Sequence, residues 1–165
     1  PQSTPNRVLF CYTKLMKEGQ KFTSKTTTET AEIAKKILEI IEKQEVTGAF
    51  VLALSGELGA GKTTLSQEIG KILEVKETMQ SPTFVIMKSY DTSHSIFKKL
   101  VHIDAYRIEK EEELKVLKLE ELFKDKSVLF VIEWPENIKN VIPEYALQVF
   151  IKHKSESERE FQIFN

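Results

Sequence analysis

A single α/β domain is predicted by three features of this chain. Two short, continuous apolar runs, Ala49–Leu54 and Ser127–Ile132, read as buried strands; a glycine-rich loop directly follows the first; amphipathic helical patterns flank that loop. Apolar runs of this length without alternation suit strands covered on both faces, as in the middle of a parallel sheet. The chain has 165 residues, a length that fits one domain with one core. Hydrophobic residues at 41% and charged residues at 30% are the composition of a folded chain, neither disordered nor membrane-embedded.

Residues 1–21 show no clear period, contain Pro1 and Pro5, and are read as an N-terminal extension with one apolar run, Val8–Tyr12. The chain opens at Pro1 instead of Met, which suggests a processed or appended segment. The main domain is assigned to residues 22–165. Its first helix is expected over Thr28–Gln44, because Thr26 and Glu29 have capping-box spacing and Ile33, Ile37, Ile40 and Ile41 share one face. Gly48 is the expected stop. After the strand at Ala49–Leu54 and its loop, a second helix carries Leu65, Ile69, Ile72 and Leu73 on one face and tolerates Gly70.

Phe84–Tyr90 and Phe97–Asp104 read as an antiparallel hairpin joined by the polar segment Asp91–Ser95. Glu109 to Lys124 reads as a helix with Leu114, Leu117 and Leu122 inward. Ser127–Ile132 is a second buried strand, closed by Glu133-Trp134-Pro135. Tyr145–Lys152 and Glu160–Phe164 flank a Ser-Glu-Ser-Glu turn and form a closing hairpin. No internal repeat and no second domain boundary is evident after residue 22.

Composition excludes several classes. A formal net charge of −1 argues against a free-standing nucleic-acid binder, though not against acting on RNA through a partner. The one cysteine, Cys11, permits no intrachain disulfide and has no neighbouring base to activate it. No segment has a signal-peptide core or the length of a membrane span, so the cytoplasm is the expected location. His94, His102 and His153 lack metal-ligand spacing and are assigned no catalytic role.

The strongest chemical signal is Gly56-x-x-x-x-Gly61-Lys62-Thr63, a phosphate-binding loop between a buried strand and an amphipathic helix. A chance match in a chain of this length is on the order of 1% at average glycine usage. Glycines let the loop backbone turn its N–H groups towards phosphate oxygens, and the helix start adds its positive dipole end. In this pattern Lys62 bridges the β- and γ-phosphates and the Thr63 hydroxyl sits on Mg²⁺.

Such a loop also needs an acid at the end of a neighbouring buried strand, and two qualify. Glu133 follows Val128–Ile132. Asp104 ends Leu100–Ile103, whose alternation sets Val101 and Ile103 on one face and His102 and Asp104 on the other. Spacing alone does not choose between them. Thr83, in Ser81-Pro-Thr-Phe84, has the position of a γ-phosphate-sensing loop residue. Arg107 reads either as a phosphate contact or as an exposed structural residue, and Trp134 reads as packing. The absence of Asn-Lys-x-Asp and Asp-x-x-Gly motifs favours ATP over GTP, and the absence of an arginine-rich lid weakens a kinase reading.

Four blocks in order, Leu54–Thr64, Ser81–Phe84, His102-Ile-Asp-Ala-Tyr-Arg107 and Ile132-Glu-Trp-Pro135, resemble the TsaE (formerly YjeE) family over residues 22–164. Members are small ATPases of bacterial tRNA threonylcarbamoyladenosine biosynthesis. The resemblance implies a P-loop NTPase fold with a mixed, mostly parallel sheet between helices, with ATP and Mg²⁺ as cofactors. It implies as partners the threonylcarbamoyl transferase TsaD and its companion TsaB, with tRNA reached only through them and no membrane. The ATPase does not perform the transfer to the adenosine beside the anticodon; it couples hydrolysis to resetting that complex.

Carried over by position, the phosphate loop corresponds to Gly59, Ala60, Gly61, Lys62, Thr63 and Thr64. The metal carboxylate corresponds to Glu133, and the switch-like position to Thr83. Asp104 is then the candidate for orienting water or for a contact one step behind the metal. Lys118 departs from the family pattern, which commonly has glycine there, and the opening twenty or so residues are longer than usual. Two other readings stand beside this one: a P-loop small-molecule kinase, and an ATP-gated binding module with negligible hydrolysis.

Overall fold

The computed structural model describes residues 19–109, 113, 114, 117 and 119–164. Val8–Tyr12, Cys11 and Lys118 lie outside the described residues. Among those described, seven strands form one sheet: β1 (Gln20–Ser24), β2 (Phe50–Gly56), β3 (Met87–Asp91), β4 (Lys99–Asp104), β5 (Val128–Glu133), β6 (Leu147–His153) and β7 (Arg159–Phe164). Their order is β1-β7-β6-β2-β5-β4-β3. The four central strands run parallel, through the pairs β6·β2, β2·β5 and β5·β4. The edges are antiparallel: β3 on β4, β7 on β6, and β1 on β7. This is the mixed α/β architecture expected, with both hairpins in place.

Both continuous apolar runs are central strands, and every residue of β5 is buried. Alternate side chains serve two cores. Leu52, Leu54, Leu129 and Val131 join one face, packed by α1 (Thr27–Glu42) and α2 (Lys62–Ile72). Val51, Phe130, Ile132, Val101 and Ile103 join the other, covered by the segments after β4 and β5 through Ile108, Leu114, Leu119, Ile138 and Ala146. A strand sandwiched this way has no solvent side, which is why its sequence shows no polar alternation.

α1 forms where the capping pattern places it. Thr26 is its N-cap, the Glu29 amide donates to Thr26 Oγ1 at 3.1 Å, and Glu29 Oε2 accepts from the Lys25 amide at 2.6 Å. Ile33, Ala34, Ile37, Leu38 and Ile41 are buried. The helix ends at Glu42, before Gly48. Gly48 is instead a close approach: the Ala49 amide donates to the Phe123 carbonyl at 2.7 Å, and a Cβ on Gly48 would collide with that same oxygen.

Three expectations need correction. β1 begins at Gln20, inside the segment read as an extension, because its backbone pairs with β7 from Gln20↔Ile163 to Ser24↔Arg159. β3 starts at Met87 and not at Phe84: the amides of Val85 and Ile86 turn back onto the Pro82 carbonyl, and Ile86 has φ +64°. The helix expected over Glu109–Lys124 is reduced, among the described residues, to α3 (Leu119–Leu122) plus short turns. The inward leucines are as expected: Leu114 is buried and Leu117 and Leu122 pack against the same core, joined by Leu119. Among the described residues no helix is long and apolar enough to cross a membrane.

Ile37 is fully buried on the inner face of α1, so Ile37→Ala is expected to lower unfolding free energy by about 2–5 kcal/mol. Thr26→Ala, which removes only the cap, should cost about 1 kcal/mol. Urea denaturation of both variants measures the difference.

Candidate functional site

The loop between β2 and α2 has a backbone only glycine adopts readily. Gly56, Gly59 and Gly61 have φ of +145°, +75° and +109°. At Gly56 a Cβ would also strike the Ile151 carbonyl of the adjacent β6. At Gly61 it would meet nothing within 4 Å, so glycine is required there for its dihedral and the front of the loop stays open. Gly61 is the N-cap of α2 and supplies no side-chain cap. The first amides of α2 therefore face a pocket lined by Gly59, Gly61, Lys62, Thr63 and Thr64. An open nest of amides at a helix start, with a lysine and a hydroxyl beside it, fits a polyphosphate. Gly56 and Ala60 are buried behind the loop and shape it without lining the pocket.

Lys62 is buried, and its Nζ donates to the carbonyls of Gly56 at 2.7 Å and Glu57 at 2.9 Å. The same ammonium lies 3.9 Å from the centroid of the Trp134 ring. Trp134 packs against the core, as its sequence reading has it, and its ring also lines the pocket. It follows β5 in a left-handed conformation (φ +59°), with its amide donating to the Leu54 carbonyl at 3.2 Å. Burial lowers the Lys62 ammonium from its ordinary value, against the opposing pull of Glu133, Glu136, Asp104 and Glu57.

The two acids the sequence could not separate are separated by their partners. Glu133 points to the loop: Thr63 Oγ1 donates to Glu133 Oε2 at 3.0 Å. Its other oxygen accepts from His102 Nε2 at 2.8 Å, with Ser66 Oγ 3.4 Å away. Asp104 ties down the Ser-Pro-Thr segment: Ser81 Oγ and Thr83 Oγ1 donate to its Oδ2 at 2.7 and 2.5 Å. The Tyr106 amide donates to Asp104 Oδ1 at 3.0 Å. Thr83, Asp104, Glu133 and Trp134 all line the same pocket as the glycine loop.

His102, given no role from sequence, is fully buried against Glu133. The signal that could have found it was the alternation of β4, which sets His102 on the face of Asp104. Arg107 is not among the pocket-lining residues; its guanidinium covers the Phe84 ring at 4.5 Å. His94 closes the β3–β4 turn, its Nδ1 accepting from the Ile96 and Phe97 amides at 3.4 Å.

Comparison with known proteins identifies the family. A family model described as threonylcarbamoyl adenosine biosynthesis protein TsaE matches residues 24–161. The chain is 39% identical over 121 residues to the tRNA threonylcarbamoyladenosine biosynthesis protein TsaE of Bacillus subtilis, covering 70% of this chain and 73% of that one. It is 34% identical over 129 residues to the protein of the same description from Nostoc, covering 76% of each. A crystal structure of Bacillus subtilis YdiB superposes with TM-score 0.66 at 29% identity, covering 91% of this chain and 86% of that one.

Glu136, beside Ser55 and Lys62, has its carboxyl raised above the ordinary 4.5 by burial. The folded chain thus binds that proton more tightly than the unfolded one. The resulting stabilisation is full below pH 4.5 and is lost as pH rises through the folded value. Glu136→Gln, neutral throughout, is expected to be more stable than the parent at pH 7, with the gap closing as pH falls towards 4.5. Urea midpoints across that range check the sign.

Proposed function

The chain belongs to the TsaE family of tRNA threonylcarbamoyladenosine biosynthesis, and from that premise we propose that it is a cytoplasmic ATPase serving the transferase TsaD and its partner TsaB. The observation that carries the proposal is the Thr63–Glu133 pair, a hydroxyl and a carboxylate 3.0 Å apart at the mouth of a glycine loop that ends in Lys62. Mg²⁺ commonly takes one or two such protein oxygens together with phosphates and water. Thr63 and Glu133 are the residues that would hold it, and when bound it neutralises charge on the phosphates.

Within this reading Lys62 exchanges the carbonyls of Gly56 and Glu57 for phosphate oxygens. The amides of Gly59 to Thr64 cradle the phosphate chain. Asp104, joined to Thr83, orients water or carries the state of the Ser81–Thr83 loop to the pocket. Turnover is slow alone and rises in the complex. Support for a protein partner comes from the exposed apolar residues around the site: Leu58 at 73% exposure, Phe84 at 83%, with Val85 and Tyr106. Such a cluster beside a polar pocket is typical of a surface that another protein covers.

The test is threonylcarbamoylation of tRNA by TsaD with TsaB over many turnovers, with no addition, with this chain, or with its Lys62→Ala variant. Only the intact chain should sustain turnover. Equal modification in all three overturns the tRNA role. In parallel, labelled γ-phosphate should be released to water, with Asp104→Asn lowering the rate by roughly 10²–10⁴-fold if Asp104 orients the attacking water. Transfer of the label to a metabolite would replace the reading with a kinase.

A further inference from the structure

Glu133 is buried, yet only one of its oxygens faces Thr63; the other needs a donor to keep the carboxylate from turning. That donor comes from the neighbouring strand. β4 and β5 run parallel with His102 level with Val131 and Asp104 level with Glu133, so the His102 ring reaches the end of β5 from beside it. Its Nε2 lies 2.8 Å from Glu133 Oε1, and its side chain is 0% exposed. A carboxylate oxygen accepts, so Nε2 carries the hydrogen. The other ring nitrogen, Nδ1, is buried without a hydrogen-bond partner among the described residues. A hydrogen on Nδ1 would be a buried donor without an acceptor among the described residues, whereas one on Nε2 meets Glu133.

Nδ1, unpartnered among the described residues, separates function from filling. Burying an unpaired polar atom costs free energy that an apolar side chain of similar volume would not. A leucine would serve the core at least as well. What histidine adds at this position is the Nε2–H contact to Glu133. Ser66 does not replace it, because its hydroxyl donates to the Lys62 carbonyl at 3.0 Å and reaches Oε1 only at 3.4 Å.

We infer that His102 is a positioning residue for the divalent cation: it pins Glu133 Oε1 so that Oε2 stays aligned with the Thr63 hydroxyl. Groups that orient a metal-binding carboxylate in this way typically change metal affinity by about 10–100-fold when removed. The inference rests on the reading of Glu133 as the metal carboxylate, and its test keeps the two apart.

The experiment follows binding of a fluorescent N-methylanthraniloyl-ATP to the full chain, first in EDTA and then across a Mg²⁺ titration. In His102→Leu, nucleotide affinity in EDTA should stay within about 2-fold of the parent, while the Mg²⁺ concentration for half-maximal enhancement rises about 10–100-fold. His102→Gln, whose amide can donate from nearly the position of Nε2, should recover most of that loss. His102→Asn, too short to reach, should not, and the Gln–Asn comparison decides the matter if the leucine variant fails to fold. Because His102 acts through Glu133, adding His102→Leu to Glu133→Gln should alter the Mg²⁺ response by less than about 2-fold. An unchanged Mg²⁺ response in His102→Leu, or an undiminished loss in the Glu133→Gln background, overturns the role of His102 alone. A parent protein whose nucleotide binding ignores Mg²⁺ overturns the reading of Glu133 and His102 together.

Discussion

Backbone hydrogen bonds that hold β5 between β2 and β4 set Glu133 level with Leu54 on one side and Asp104 on the other. All three strands run the same way, so their carboxyl ends open together beside the loop that leaves β2. Everything in the pocket follows from that alignment. Thr63 on the first turn of α2 meets Glu133, 70 residues later, only because β5 ends where β2 ends. The crevice at the carboxyl ends of parallel strands is the usual place for ligands in α/β sheets, and here it lies at the ends of the adjacent strands β2, β5 and β4.

The arrangement concentrates charge where a fold would rather have none. Lys62, His102, Asp104 and Glu133 are all buried within one site. Each is matched locally: Lys62 with two loop carbonyls and the Trp134 ring, Glu133 with Thr63 and His102, Asp104 with two hydroxyls and an amide. Left-handed backbone at Trp134 adds local strain. The surrounding cores hold this cluster in place. One packs under α1 and α2, the other behind β4 and β5, and neither contains any of the four groups.

Membership of the TsaE family places the chain in tRNA threonylcarbamoyladenosine biosynthesis. The same structural elements that line the pocket also border its exterior. Leu58 belongs to the phosphate loop and Tyr106 follows Asp104 by two residues, yet both are exposed. Phe84 and Val85 follow Thr83 in the segment that Asp104 ties down. A change in what Thr83 and Asp104 touch would therefore reach these exposed side chains through a few covalent bonds, a short path from pocket to surface.

Local patterns were legible wherever the physics is local. The capping of α1, the glycine spacing of the loop and the continuous apolar runs of β2 and β5 each depend on residues within a few positions of one another. They determined fold class and the loop that leads into Lys62, as the polar turns Asp91–Ser95 and Ser155–Glu158 did for the two hairpins. Gln20–Ser24 carried no comparable signal, because that strand exists through backbone pairing with β7, some 140 residues away. For Glu109–Lys124 the expected inward leucines face the core, while the helix itself is seen among the described residues only at Leu119–Leu122. The choice between Asp104 and Glu133 was undetermined by spacing, and the family resemblance pointed to Glu133. Tertiary structure then gave each acid its partners, turned Trp134 towards Lys62 and brought His102 to Glu133. Those contacts join residues from separate elements, and only strand register and a shared burial bring them within hydrogen-bonding distance.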